Sequence, residues 1–530
     1  MQRAKKFNTA GPCYAHRHYM LPPLERLPEA HELVEDGAYF VVHAPRQTGK
    51  TTALQHLAQA LNVAGTFTTV YFSCEAGEAA GDDYAEAQRA VIHQIRMESR
   101  RQLPEQERPP ERVQESPDTA LLSTFLSEWC EVCPKPVVLF FDEIDALRGQ
   151  SLVSVLRQLR ATHNHRPEHG PWSVALCGLR DVRDYKRASG GSDRLGTSSP
   201  FNIKVASLTL GNFTAEQVEA LYTLHTEATD QGFTTEALSR VVELTQGQPW
   251  LVNSLAAEVL YKMRVTETVT VEHIELAKAR LILDRATHLD SLVSKLHEPP
   301  VRRVLEPLIS GGAPQTSSDM TYSDDVSYVT DLGLIARDLP VRPANPIYRE
   351  VMVRALTANY TPRIVVEPSR FVLSDGRFDM RGAMEAFAEF WMEHGEAMAR
   401  PGQTYPEATA QIVMMAFLQR VVNGGGTIDR EYGMGRGRID LLVRWPHETP
   451  EGRQVQREVV ELKRWATTDR RGDPLARGLE QIDEYLGRTG VAHGWLVIFD
   501  MRDDAADVDD RVRFEDHTTP SGRAVTLLRA

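Results

Sequence analysis

Residues 38–62 read AYFVVHAPRQTGKTTALQHLAQALN, passing from a β-rich apolar run through a loop into apolar positions at helical spacing, Leu54, Leu57 and Leu61. The order is strand, loop, helix. The loop Ala44-Pro45-Arg46-Gln47-Thr48-Gly49-Lys50-Thr51 matches the pattern G-x-x-x-x-G-K-[ST], with Ala44 where the first glycine usually stands. Successive N–H groups of such a loop, Ala44 to Thr52, surround phosphate oxygens, and the positive end of the following helix adds to their stabilisation. Lys50 is expected to hold the β- and γ-phosphates of ATP, and Thr51 to give its hydroxyl to Mg2+. Gly49 lets the backbone approach closely, and Ala44 costs little wherever its φ stays negative.

A loop pattern alone can arise by chance, so a second motif carries weight. VVLFFDEID places Asp142 and Glu143 at the carboxyl end of an apolar strand. Asp142 is expected to serve the magnesium ion, and Glu143 to orient and polarise the water that attacks the γ-phosphate. The bland alternative is an acidic turn after a buried strand. A third element, SVALCGLRDVRDYK, puts Arg180 and Arg183 just past another strand. Either could reach a γ-phosphate, in cis or across a homo-oligomer, and a solvated arginine pair is an equally good reading.

Outward from these motifs the chain alternates. A strand at Val70–Phe72, a helix at Tyr84–Ile95, a polar stretch 100–117 read as an exposed insertion, and a helix at Ala120–Trp129 precede the Asp142 strand. The helix Leu152–Arg160 and strand 173–178 follow, and such alternation implies α/β architecture with a parallel sheet. The Gly- and Ser-rich segment 188–200 reads as a loop. From Thr214, which can cap a helix with Gln217, the pattern turns helical and predicts a lid over 214–297. Gln248–Pro249 could sense nucleotide there, or simply start a helix. Residues 298–360 fit a winged helix, the core is assigned 1–213, and a further α/β unit, opening with a strand at Ile364–Val366, is assigned 361–530.

At 530 residues the chain exceeds one ordinary hydrophobic core. No run approaches a membrane span, and the basic N-terminal segment lacks the apolar stretch of a secretory signal, so a cytoplasmic protein without membrane contact is expected. Five cysteines fit a reducing compartment, and Cys130–Cys133 reads as chance spacing rather than a metal or redox pair. A net charge of −13 excludes broad adhesion to nucleic acid and restricts any DNA contact to a local patch.

Near the end, TIDREYGMGRGRIDLLVRWPHETPEGRQVQREVVELKRW (427–465) reads as a hairpin. Asp440 lies on its first strand, while Glu461 and Lys463 alternate on the second and share a face. Two converging carboxylates can hold Mg2+, and a lysine beside them can neutralise a phosphate; the alternative is an ion pair on a solvated edge strand. Gln481 and Tyr485 lie one helical turn apart, where an amide and a phenol could position a phosphate, or form a routine polar face. Arg436, Arg438, Arg464, Arg470 and Arg471 offer a local phosphate path.

These motifs carry two resemblances. HAPRQTGKTT, FFDEIDAL and the GQP at Gly247–Pro249 make the first ~360 residues resemble the STAND/Orc-like branch of AAA+ ATPases, which implies a helical lid and a winged helix. HYMLPPLERLP (His18–Pro28) resembles the segment that lies near the nucleotide in bacterial AAA-like proteins. The series Asp440, Glu461-Leu462-Lys463 resembles the PD-(D/E)XK nuclease superfamily over about 360–530. Glu407 matches its additional acidic ligand, and Gln481 with Tyr485 its RecB-type QxxxY. Together the resemblances imply an ATP-dependent or ATP-gated nuclease cutting DNA with Mg2+, suited to bacterial defence or mobile-element processing. The rival is an ATP-controlled switch that binds DNA or a partner through a C-terminal module that does not cleave.

Overall fold

A computed structural model describes residues 5–179, 203–284, 287–309, 324–358, 367–398, 406–422, 425–434, 437–450, 452–467, 472–502 and 504–530. The chain divides into two compact units, one built from Met1–Arg285, Val329–Arg337 and Ala344–Ile347, the other from Ala286–Tyr328, Asp338–Pro343 and Tyr348–Ala530.

The first unit is organised by strands β1 (Tyr39–His43), β2 (Thr68–Ser73), β3 (Val137–Asp142), β4 (Ser173–Gly178) and β5 (Lys204–Thr209), in the order β2-β3-β4-β1-β5. All neighbours run parallel. Both faces of the sheet centre are covered, so β1, β3 and β4 are mainly apolar rather than alternating, as buried parallel strands require. Tyr39, Val41, Phe72, Leu139 and Phe141 pack on one side with helices Tyr84–Gln102, Leu121–Val132 and Gly149–His163. Phe40, Val42, Val138, Phe140 and Cys177 pack on the other with the helix Lys50–Ala64. Strand β5 escaped the sequence reading because it is an edge, with a half-exposed KVASLT pattern.

The stretch 100–117 differs from its expectation. The helix runs on to Gln102, and Glu107 is buried, accepting from Thr68 Oγ1 at 2.8 Å and pairing with Lys135 at 2.6 Å. A charged residue with two such partners can be taken out of water, so this connection is partly core. Segment 188–200 and the strand at 364–366 lie outside the described residues.

Helices Ala215–Thr229, Thr235–Thr245, Pro249–Ala257 and Val271–Leu283 complete this unit's contiguous part. Thr214 and Gln217 form the capping box that their spacing predicted. Gly247 has φ +70°, and a Cβ there would sit 1.9 Å from the Phe213 carbonyl oxygen, so only glycine fits.

The second unit holds helices Pro299–Ile309 and Met380–Met398 and a six-stranded mixed sheet: β6 (Thr427–Met434), β7 (Gly437–Thr449), β8 (Gly452–Ala466), β9 (His493–Met501), β10 (Arg513–Thr518) and β11 (Ala524–Arg529), ordered β10-β11-β9-β8-β7-β6. β6, β7 and β8 form an antiparallel meander, while β8, β9 and β11 are parallel. Helix Pro406–Val422 precedes the meander, and helix Leu475–Thr489 makes the crossover from β8 to β9. Its Ile482, Tyr485 and Leu486 bury one sheet face with Val459 and Leu496, while Phe387 and Trp391 pack on Phe499 of the other. Among the described residues no helix is long and apolar enough to cross a membrane.

Candidate functional site

The loop after β1 turns sharply into its helix. Gln47 and Gly49 take positive φ, 59° and 95°, and Ala44 is absent from the positive-φ residues, so the missing first glycine costs no strain. Lys50 Nζ donates to the carbonyls of Ala44 and Pro45 at 2.6 and 2.8 Å, which holds the ammonium across the mouth of the loop. Arg46 is exposed, Thr48 Oγ1 donates to Pro45 O at 2.9 Å, and Thr52 Oγ1 accepts from the Cys13 N–H at 3.0 Å.

Register brings the acidic pair to this loop. Asp142 ends β3 opposite Ser73 of β2, on the sheet face that carries the loop's helix. Its Oδ2 accepts from Thr51 Oγ1 and from Tyr71 OH, each at 2.7 Å, and its Oδ1 accepts from the Glu143 N–H at 3.0 Å. Glu143 sits in the left-handed region at φ 53°, with its Oε2 accepting from Ser73 Oγ at 2.8 Å. Burial raises the Glu143 carboxyl above its ordinary value, against the lowering effect of the Ser73 bond; the neighbouring acids push the same way as burial. Thr51 and Asp142 present only hydroxyl and carboxylate oxygens, a donor set that fits Mg2+.

The segment before β1 also reaches the loop. Arg26 donates to the Gly211 carbonyl, stacks on Phe213 with 4.8 Å to the ring centroid, and comes within 3.3 Å of the Cβ position of Gly49. Asn8, Arg26, Gly49, Thr52, Phe213 and Trp250 line a pocket beside the phosphate loop. Gln248 caps the helix that Pro249 begins, accepting from the Leu251 N–H at 2.6 Å; its amide stands 3.5 Å from Gln47 O.

Sequence reading missed Tyr71, Ser73 and Arg26. The first two were marked only by the polar atoms they bring to the carboxyl-terminal half of the strand beside β3. Arg180 and Arg183 lie outside the described residues. Cys130 is buried in the core and Cys133 lies beside Thr68, with all five cysteines free.

A five-stranded parallel sheet with a phosphate loop after β1 and an acidic pair ending β3 defines an ATP-binding domain of the P-loop ATPase class. The chain belongs to the AAA-like domain family, which it matches over residues 5–310. Solved structures similar to it include a Walker-type ATPase of Pyrococcus abyssi, at 12% identity and TM-score 0.46, covering 65% of this chain and 99% of that one. The Holliday-junction branch-migration motor RuvB of Thermotoga maritima aligns at 14% identity and TM-score 0.33, over 62% and 92%. Domain III of the replication initiation protein DnaA of Thermotoga maritima aligns at 15% and 0.31, over 49% and 92%. No curated protein matches the chain.

A second acidic pair lies in the other unit. β7 and β8 pair with Leu441 opposite Val460, and one further step of that register sets Asp440 opposite Glu461. Asp440 Oδ2 accepts from the Leu462 N–H at 2.9 Å. Glu461 is 1% exposed; its Oε1 pairs with Lys463, and its Oε2 is buried with no hydrogen-bond partner among the described residues. Burial first, then the charge of Asp440, raises the Glu461 carboxyl well above the usual carboxylate range, against the pull of Lys463. Val459, Glu461 and Lys463 alternate onto the face covered by helix Leu475–Thr489.

On that helix Gln481 is exposed, whereas Tyr485 is buried in the core, so the two are not presented together. Glu407 falls in the first turn of helix Pro406–Val422, with its side chain outside what is described. The same holds for the side chains of Arg436, Arg438, Arg470 and Arg471. Among the described residues no group of three or more metal-ligating side chains converges.

Proposed function

We propose that the chain is an ATP-gated nuclease that cleaves DNA with Mg2+, its first unit hydrolysing ATP and its second cutting phosphodiester bonds. The observation that carries the cleavage reading is the Glu461 Oε2, buried and without a partner beside Asp440. A buried carboxylate oxygen left bare is costly unless a cation completes it. The oxygen-only pair fits a hard divalent ion, which when bound would lower the pKa of water and stabilise charge on a phosphodiester. Asp440 and Glu461 would hold it, with Glu407 as the additional acidic ligand, Lys463 would face the phosphate, and Gln481 would help position it. In the first unit, Lys50 holds the phosphates, Thr51 and Asp142 hold Mg2+, and Glu143 orients water. Arg180 is the proposed source of further γ-phosphate contact, from the same chain or a second copy.

The proposed divisions are a core over 1–213, a lid over 214–297, a winged helix over 298–360 and a nuclease-like domain over 361–530, in a cytoplasmic protein. The second reading, a switch that binds DNA or a partner without cutting, is favoured by the burial of Tyr485 and by Lys463 pairing with Glu461 itself.

The test is cleavage of linear, circular and single-stranded DNA with Mg2+, with and without ATP, by wild type, Lys50→Ala and Glu461→Ala. Cleavage that disappears with Glu461→Ala and changes with Lys50→Ala supports the gated nuclease. ATP turnover without any cut substrate replaces it with the switch.

A further inference from the structure

The two acids that end β3 are each held by a hydroxyl from β2, Glu143 by Ser73 and Asp142 by Tyr71. Tyr71 and Ser73 are two residues apart and share a sheet face. Asp142 is 2% exposed, and its Oδ2 is shared between Thr51 Oγ1 and the Tyr71 phenol at equal distances of 2.7 Å. A threonine hydroxyl that coordinates a metal ion through an oxygen lone pair keeps its O–H for Oδ2, so Thr51 and Tyr71 together fix that oxygen. Tyr71 is a donor on Oδ2 that does not itself ligate the ion, while the Glu143 N–H binds Oδ1.

We propose that Tyr71 is a positioning residue for the ATP site, holding the Asp142 carboxylate in the rotamer that receives Mg2+. This rests on the reading of the first unit as a Mg2+-ATP site. The phenol suits the task. Its ring is half-buried and packs against the core around the phosphate-loop helix. Its backbone is clamped by Gln102, whose side chain accepts from Tyr71 N at 3.1 Å and donates to Tyr71 O at 2.7 Å. A hydrogen bond to a charged, buried acceptor is among the stronger kinds, and its loss frees the carboxylate to rotate.

The test is equilibrium binding of a fluorescent, non-hydrolysable ATP analogue to the full chain, titrated with Mg2+ and repeated in EDTA, for wild type and Tyr71→Phe. The variant removes one hydroxyl and keeps the ring, and a thermal melt checks folding. Tyr71→Phe is expected to raise the Mg2+ concentration for half-maximal enhancement about 5- to 20-fold while changing affinity in EDTA less than about twofold. On an Asp142→Asn background the same substitution should have no further effect, because the partner is gone. An unchanged Mg2+ requirement, an equal loss in EDTA, or an undiminished effect on Asp142→Asn overturns the proposal. A wild type that binds the analogue equally with and without Mg2+ overturns the underlying site reading as well.

Discussion

The molecule carries two acidic pairs, and they are held in opposite ways. Asp142 and Glu143 are consecutive at the end of a parallel strand, and each accepts a hydroxyl donor from β2. Asp440 and Glu461 are 21 positions apart, meet across an antiparallel pair, and leave one buried oxygen bare beside a lysine. Protein donors hold both oxygens of Asp142 and one of Glu143, so these carboxylates are pre-oriented. The second is strained electrostatically, and a cation would relieve it. The same two side-chain types thus make a positioned site in one sheet and a destabilised one in the other.

The largest effect that would sharpen this contrast lies in the first pair. Glu143→Gln should lower ATP turnover about 10²- to 10⁴-fold while the analogue still binds, because only water activation is lost. Retained turnover would remove Glu143 from the chemistry.

A smaller effect should appear in the second pair. The folded chain holds the Glu461 proton to higher pH than the unfolded chain, whose glutamate titrates near 4.5. Its contribution to stability is therefore fully present below that pH and is lost as pH rises through the raised folded value. Without metal, Glu461→Gln should melt higher than wild type at pH 9 and level with it near pH 4, as read by calorimetry on the full chain. A variant that melts lower at both values would show that Glu461 is well satisfied, and the contrast would fail.

The smallest effect expected is on the hydroxyl that holds Glu143. The Ser73 bond favours the charged carboxylate, so Ser73→Ala should raise the Glu143 pKa further and move the acidic limb of the ATPase pH profile to higher pH. An unmoved limb would mean that the bond does not persist during turnover.

The legibility of the two regions follows from the same difference. The phosphate loop and the Asp142 strand are contiguous strings in which chemistry and local structure coincide, so β1 to β4 and their helices could be read directly. The hairpin of Asp440 and Glu461 was also readable, because alternation fixes which side chains share a face. What escaped needed tertiary pairing. Tyr71 acquires its role only because β2 lies beside β3 in register, and the burial of Tyr485 depends on how its helix crosses the sheet. Glu107 looked like part of a solvated loop until Thr68 and Lys135 supplied its partners.

The first unit is interleaved: after Arg285 the chain returns to it at Val329–Arg337 and again at Ala344–Ile347. Leu334, Ile335 and Ile347 in those returns are buried. A gene truncated anywhere between residues 285 and 328 would lose these apolar side chains and bare the surface they cover. Expressing the whole first unit therefore takes a chain that runs at least to Ile347, past residue 310 where the family match ends.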